Sequence, residues 1–202
     1  MSDSRLPDAR TDLRPDEVMF SDSVRRQQES RGSREANARR AAAGGFPPAL
    51  SADAIAFIGQ RNSVYLGTAS AEGQPYVQHR GGPPGFLKVL DERTIAFAEY
   101  AGNRQFISIG HLAENDRSFL FLMDYANARR LKLWGRAKVT NEPALIARLT
   151  DDPYGVPIDH AVVFSVLAWD FNCSKHIPRL ITGGPGRSED DVAASWAPAP
   201  DP

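Results

Sequence analysis

The stretch "QPYVQHRGGPPGFLKVLDERTIAFAEYAGNRQ", residues 74–105, decides how the rest of the chain is read. It contains three short runs, "QPYVQHR", "GFLKVLD" and "RTIAFAEY", rich in Val, Leu, Phe and Tyr and separated by turn residues, which is the pattern of successive strands. The first run ends abruptly in four glycines and prolines, and the third ends in "EYAGNRQ", a turn that leads into a helical pattern. Working outward, "SVYLGTAS" precedes it, and "RSFLFLMDY", "RRLKLWGRAKVT" and "HAVVFSVLAWDFN" follow. That gives six to seven strands with mostly hairpin-length links, so the sequence predicts a mainly β, largely antiparallel sheet closed into a barrel or sandwich. Helical pieces flank or interrupt it. "SDSVRRQQESRGSREANARRAAA" is to be capped by Ser21 or Asp22 and weakened at Gly32. In "SADAIAFIGQRN", Ser51 is the cap and Ala54, Ile55, Phe57 and Ile58 share one side. "NRQFISIGHLAEN" and "NEPALIARLTDD" complete the set.

The 202 residues suit one domain with tails: a flexible N-terminal tail at 1–17, a helical segment at 18–45, the barrel at 46–182 and a flexible C-terminal tail at 183–202. With a formal net charge of -1, nothing global draws the chain to nucleic acid or to a membrane. One cysteine, Cys173, excludes an internal disulfide framework and suits a reducing compartment, and the charged N-terminus lacks a signal-peptide core, so the expected location is the cytoplasm. His79, His111, His160 and His176 are too scattered to suggest a metal site. Cys173 has His176 three residues on but no evident orienting partner, which favours a buried structural thiol over a nucleophile.

Three clusters carry candidate chemistry. In "AEYAGNRQ", Glu99 and Tyr100 end a strand, and Asn103, Arg104 and Gln105 sit at the start of a helix, where free N–H groups and an arginine suit an anion; an ordinary helix cap is the competing reading. In "VQHRGGPPGF", Gln78, His79 and Arg80 end a strand ahead of Gly81 and Gly82, whose missing side chains would let a flat ligand approach; a simple strand terminator is the alternative. In "RRLKLWGRAKV", Leu131 and Leu133 face the core, so Arg130, Lys132 and Trp134 share the other face, against solvent, a ligand or a second subunit.

Taken in order, these pieces resemble the flavin-binding split-barrel family related to pyridoxamine 5'-phosphate oxidase, from about Phe57 to about Arg179. The resemblance implies FMN bound at a homodimer interface, exchanging electrons with a small-molecule donor or acceptor. The family's phosphate-binding Arg-Lys pair falls on Arg104 and Gln105, so its second charge is lost, and Arg80 is the candidate to replace it. The strand-end residues beside the flavin fall on Glu99 and Tyr100, a ring-edge glutamine falls on Arg130, and a lysine for substrate phosphate is matched by Lys88. The ending "WDFNCSKHIPRL" lacks the Arg-His segment of the vitamin B6 oxidases and is similar to the oxidase-related branch. Relatives on this barrel also use the deazaflavin F420 or haem, and a flavin-holding stress or sensor module without turnover is a further possibility.

Overall fold

The computed structural model describes residues 14–102, 104–150, 155–171 and 175–178. Seven strands form one antiparallel sheet: β1 (Ser63–Ala69), β2 (Pro75–Gly81), β3 (Lys88–Asp91), β4 (Thr94–Tyr100), β5 (Arg117–Asp124), β6 (Arg129–Thr140) and β7 (Ile158–Phe171). Their spatial order is β2-β1-β5-β6-β7-β4-β3, and every ladder between neighbours is antiparallel. The mainly β class and the seven strands agree with the sequence pattern.

The sheet curls because its longest strands bend. The β6–β7 register shifts between Trp134 and Gly135, and a side chain at Gly135 would collide with the Ser165 carbonyl and the Phe164 ring. Only glycine lets the two backbones cross there. The inward rows, among them Val64 and Leu66, Ile95 and Phe97, Leu131 and Leu133, then meet in one core. No ladder joins β2 to β3 among the described residues. β3 covers only the first half of β4, pairing Lys88, Val89 and Asp91 with Ala96, Ile95 and Thr94. The barrel is therefore split between β2 and the later half of β4, rather than closed by hydrogen bonds as the strand pattern alone predicts.

Ser51 caps α1 of the barrel, the helix Ala52–Gly59, accepting from the Ala54 N–H at 3.2 Å. Ala54, Phe57 and Ile58 seal the core, whereas Ile55 is exposed, a correction to the predicted apolar face. Across the sheet, the helix Pro143–Leu149 lays Leu145 and Leu149 on the small residues Ala96, Ala98 and Ala161. The helix Ile107–Glu114 follows β4. Ahead of the barrel come Pro15–Met19, Asp22–Ser30 and Arg34–Ala42. The first begins inside the stretch read as a tail. Ser21 caps the second, and Gly32, at φ +71°, separates it from the third as the sequence indicates. These helices are held to their own barrel by Arg40, which pairs with Asp170 and stacks 4.5 Å above Phe46, and by the edge contact of Phe20 with Phe46.

Candidate functional site

The alternation that builds the core also builds a polar cleft at its end. On β4, Ile95 and Phe97 point inward, and the next position in phase is Glu99. On β7, Phe164 and Val162 point inward, and the next is His160, the register partner of Glu99. On β2, Gln78 and Arg80 lie opposite the inward Leu66 and Val64. Gln78, Arg80, Glu99 and His160 thus come together where the barrel is split, in a cleft of about 260 Å³ lined also by the buried Ser108 and, at its exposed rim, by Arg104.

Arg80 reaches across the split to Glu99 at 2.6 Å, both side chains being nearly buried, 14% and 11% exposed. Burial raises the Glu99 carboxyl above its ordinary value, with Arg80 and His160 pulling the other way. Burial likewise lowers the Arg80 value, opposed by Glu99. The pair leaves work undone: Arg80 Nε, Glu99 Oε2 and His160 Nε2 are buried and have no hydrogen-bond partner. Beside them the Ser108 hydroxyl donates to Gln78 Oε1 at 2.9 Å.

The turn after β4 differs from its predicted form. The helix starts at Ile107, so Arg104 and Gln105 precede it instead of opening it. Arg104 and its neighbour Phe106 have φ of +59° and +53°, a left-handed backbone that costs a side-chain-bearing residue energy and recurs at functional sites. Arg104 is exposed, stacks loosely on Phe106 and forms no ion pair among the described residues.

Of the residues singled out by sequence, Gln78, Arg80, Glu99, Tyr100, Arg104 and Gln105 line this cleft. The other candidates lie elsewhere on the chain. His79 points to the opposite face, its ring 5.6 Å from that of Tyr65. Lys88 lines a broad groove with Ile55 and Arg148. Arg130 lies on the outer face with Lys132 and Trp134, as its alternation with Leu131 predicts. Asn103 and Cys173 fall outside the described residues. Arg80 is neutralised by Glu99, so its charge does not stand in for the one missing at Gln105. Gly81 and Gly82 serve packing: a side chain at Gly82 would meet the Phe86 ring at 2.8 Å, and one at Gly81 would meet His79 at 3.3 Å. The missing side chain at Gly82 makes room for Phe86, which enters the core. His160, Ser108 and Asp159 were missed; His160 alone carried a signal, being in phase with Val162 and Phe164.

The family model described as pyridoxamine 5'-phosphate oxidase matches residues 50–166, more than half of the chain. The chain belongs to the pyridoxamine 5'-phosphate oxidase family. Strands β1 to β6 and every residue that lines the cleft, His160 included, lie within the matched region. No curated protein matches the chain. Among solved structures, a HupZ variant from Group A Streptococcus is 15% identical with a TM-score of 0.50, covering 61% of this chain and 99% of its own. An FMN-binding protein from Syntrophomonas wolfei is 16% identical, TM-score 0.49, with 75% and 95% covered. A Clostridium acetobutylicum protein related to general stress protein 26 of B. subtilis is 17% identical, TM-score 0.46, with 62% and 87% covered. At 15% identity the likeness to HupZ is one of fold alone.

Proposed function

We propose that the protein is an FMN-binding flavoprotein of the oxidase-related branch, an oxidoreductase that works as a cytoplasmic homodimer with the cofactor where the subunits meet. The observation that carries this reading is the cleft at the barrel's split, where three buried polar atoms lack partners beside the uncommitted cation Arg104. Family membership supplies the flavin expectation, and the residues fit it unevenly. At the rim, the exposed Arg104 suits a phosphate. At the inner end, the Glu99 carboxylate repels one, so the anionic end of FMN belongs with Arg104 and its uncharged ring with Glu99, Arg80 and His160. Bound there, FMN would supply hydride exchange with a small-molecule donor or acceptor, and the protein would supply binding, orientation and the electrostatic setting.

Two further features support an assembly of two chains. A cavity of about 260 Å³ is smaller than the ~300–1,000 Å³ of typical ligand pockets, so one subunit would enclose only part of FMN. On the reverse face of β2, β1 and β5, Tyr65, Val77, Phe119 and Phe121, together with Tyr125 just beyond β5, form an apolar hollow, with Val77 63% exposed. Such a patch suits a second copy of the chain. Extraction of the purified protein and mass measurement of the released species tests the cofactor: FMN is expected, and haem or F420 would replace it. Sedimentation should give a dimer that Phe121→Glu dissociates; a monomeric wild type would remove the shared site.

A further inference from the structure

Among the described residues five buried side-chain atoms lack a hydrogen-bond partner: Arg80 Nε, Glu99 Oε2, His160 Nε2, Ser118 Oγ and Arg130 Nε. Each such group costs stability, and folded proteins keep few of them. Three of these five share one cleft, on three strands that meet at the split. Their placement is rigid. Glu99 and His160 are register partners across β4 and β7, and Arg80 is tied to Glu99 at 2.6 Å. An occupant must match what is on offer there.

The donor and acceptor characters are fixed for two of the three. An arginine Nε–H can only donate, and an ionised carboxylate can only accept; the imidazole Nε2 donates in the tautomer that protonates it. The occupant must therefore present an acceptor to Arg80 and a donor to Glu99 side by side. A phosphate presents acceptors only and is repelled by Glu99. A cyclic imide presents carbonyl, N–H and carbonyl along one rigid edge, which answers Arg80, Glu99 and His160 together. We propose that these three residues read a carbonyl–imide–carbonyl edge, with Glu99 accepting from the imide N–H while Arg80 and His160 donate to the flanking carbonyls, and that the edge is the pyrimidine end of the bound flavin ring. This rests on the flavin reading above. It gives each of the three a distinct partner on that ring.

The test compares FMN with 3-methyl-FMN, which lacks the imide hydrogen, by quenching of flavin fluorescence on titration with the purified full-length protein. A hydrogen bond to a charged group corresponds to about tenfold or more in affinity, so the wild type is expected to bind FMN at least about tenfold more tightly than the methylated analogue. In Glu99→Leu, which removes the acceptor, the gap should narrow to about threefold or less, with the fold checked by circular dichroism. Equal binding of the two flavins by the wild type overturns the imide reading and leaves the flavin reading standing. A gap that persists in Glu99→Leu means that the methyl group is excluded by shape, and it also overturns the role of Glu99. Failure to bind either flavin overturns both readings. The wild-type comparison needs no variant, so a misfolded substitution does not protect the proposal.

Discussion

The middle of the barrel and its split end are built from the same rows of side chains, yet they do opposite things. In the middle, Ile95, Phe97, Val162 and Phe164 are essentially fully buried among apolar neighbours. One step further along the same rows, Glu99 is nearly buried and His160 half-buried, and each keeps a buried polar atom without a partner. The period-two geometry of a strand does not distinguish the two regions; residue chemistry alone does. The barrel core contributes stability, and the split end keeps unmet hydrogen-bonding capacity at a cost in stability, a departure expected where a ligand completes the site.

That contrast can be broken first in the core. Phe97→Ala should destabilise the protein by about 3–5 kcal/mol in urea unfolding, because the emptied space is ringed by well-packed strands. At the split end, Glu99→Leu strands a nearly buried Arg80 and should cost about 2–3 kcal/mol. Adding Arg80→Leu should recover stability to within about 1 kcal/mol of the wild type, since an apolar pair of similar size has no charge to desolvate. If the double variant is as unstable as Glu99→Leu, the pair belongs to the structural core and the contrast fails.

The split end should also respond to acid in a direction opposite to a surface ion pair. Burial raises the Glu99 carboxyl in the folded protein above its unfolded value. The folded state then binds more protons than the unfolded state in the interval between the two values, so stability falls as pH rises through it. The contribution is fully present below the unfolded carboxylate range and is lost as pH climbs through the raised folded value. Urea unfolding across that interval should show the wild type losing ground to Glu99→Gln as pH increases; parallel curves would mean that Glu99 is not perturbed. The smallest effect on stability is expected at the rim, where Arg104→Ala should change it by less than about 0.5 kcal/mol while weakening FMN binding about tenfold. An unchanged affinity would detach Arg104 from the site.

The strands were legible because each announced itself by alternation and by turn residues, down to the break at Gly32 and the cap at Ser51. Gln78, Arg80, Glu99, Tyr100, Arg104 and Gln105 were legible as a group because they lie on a strand end or turn beside the split. What the alternation did not reveal was long-range. Nothing local to Arg80 says that it will meet Glu99, since β2 and β4 are separated in the sheet order and approach only when the barrel curls. His160 was overlooked because it lies some sixty residues from Glu99 in the chain and becomes its neighbour only through the β4–β7 register. Gly82 misled for a related reason: its partner, Phe86, is local, but the need for space comes from the core that Phe86 enters. Phe106 hid the helix start, because an aromatic residue with left-handed backbone at a cap is not a pattern that composition reveals.

The central claim, that the split end of the barrel holds a flavin, is tested most directly by titrating FMN into the wild type and the Arg80→Leu, Glu99→Leu double variant side by side. The expected result is saturable quenching at one FMN per chain in the wild type, and its loss in a double variant that unfolds at nearly the same urea concentration. Equal quenching by both proteins, or none by the wild type, would contradict it.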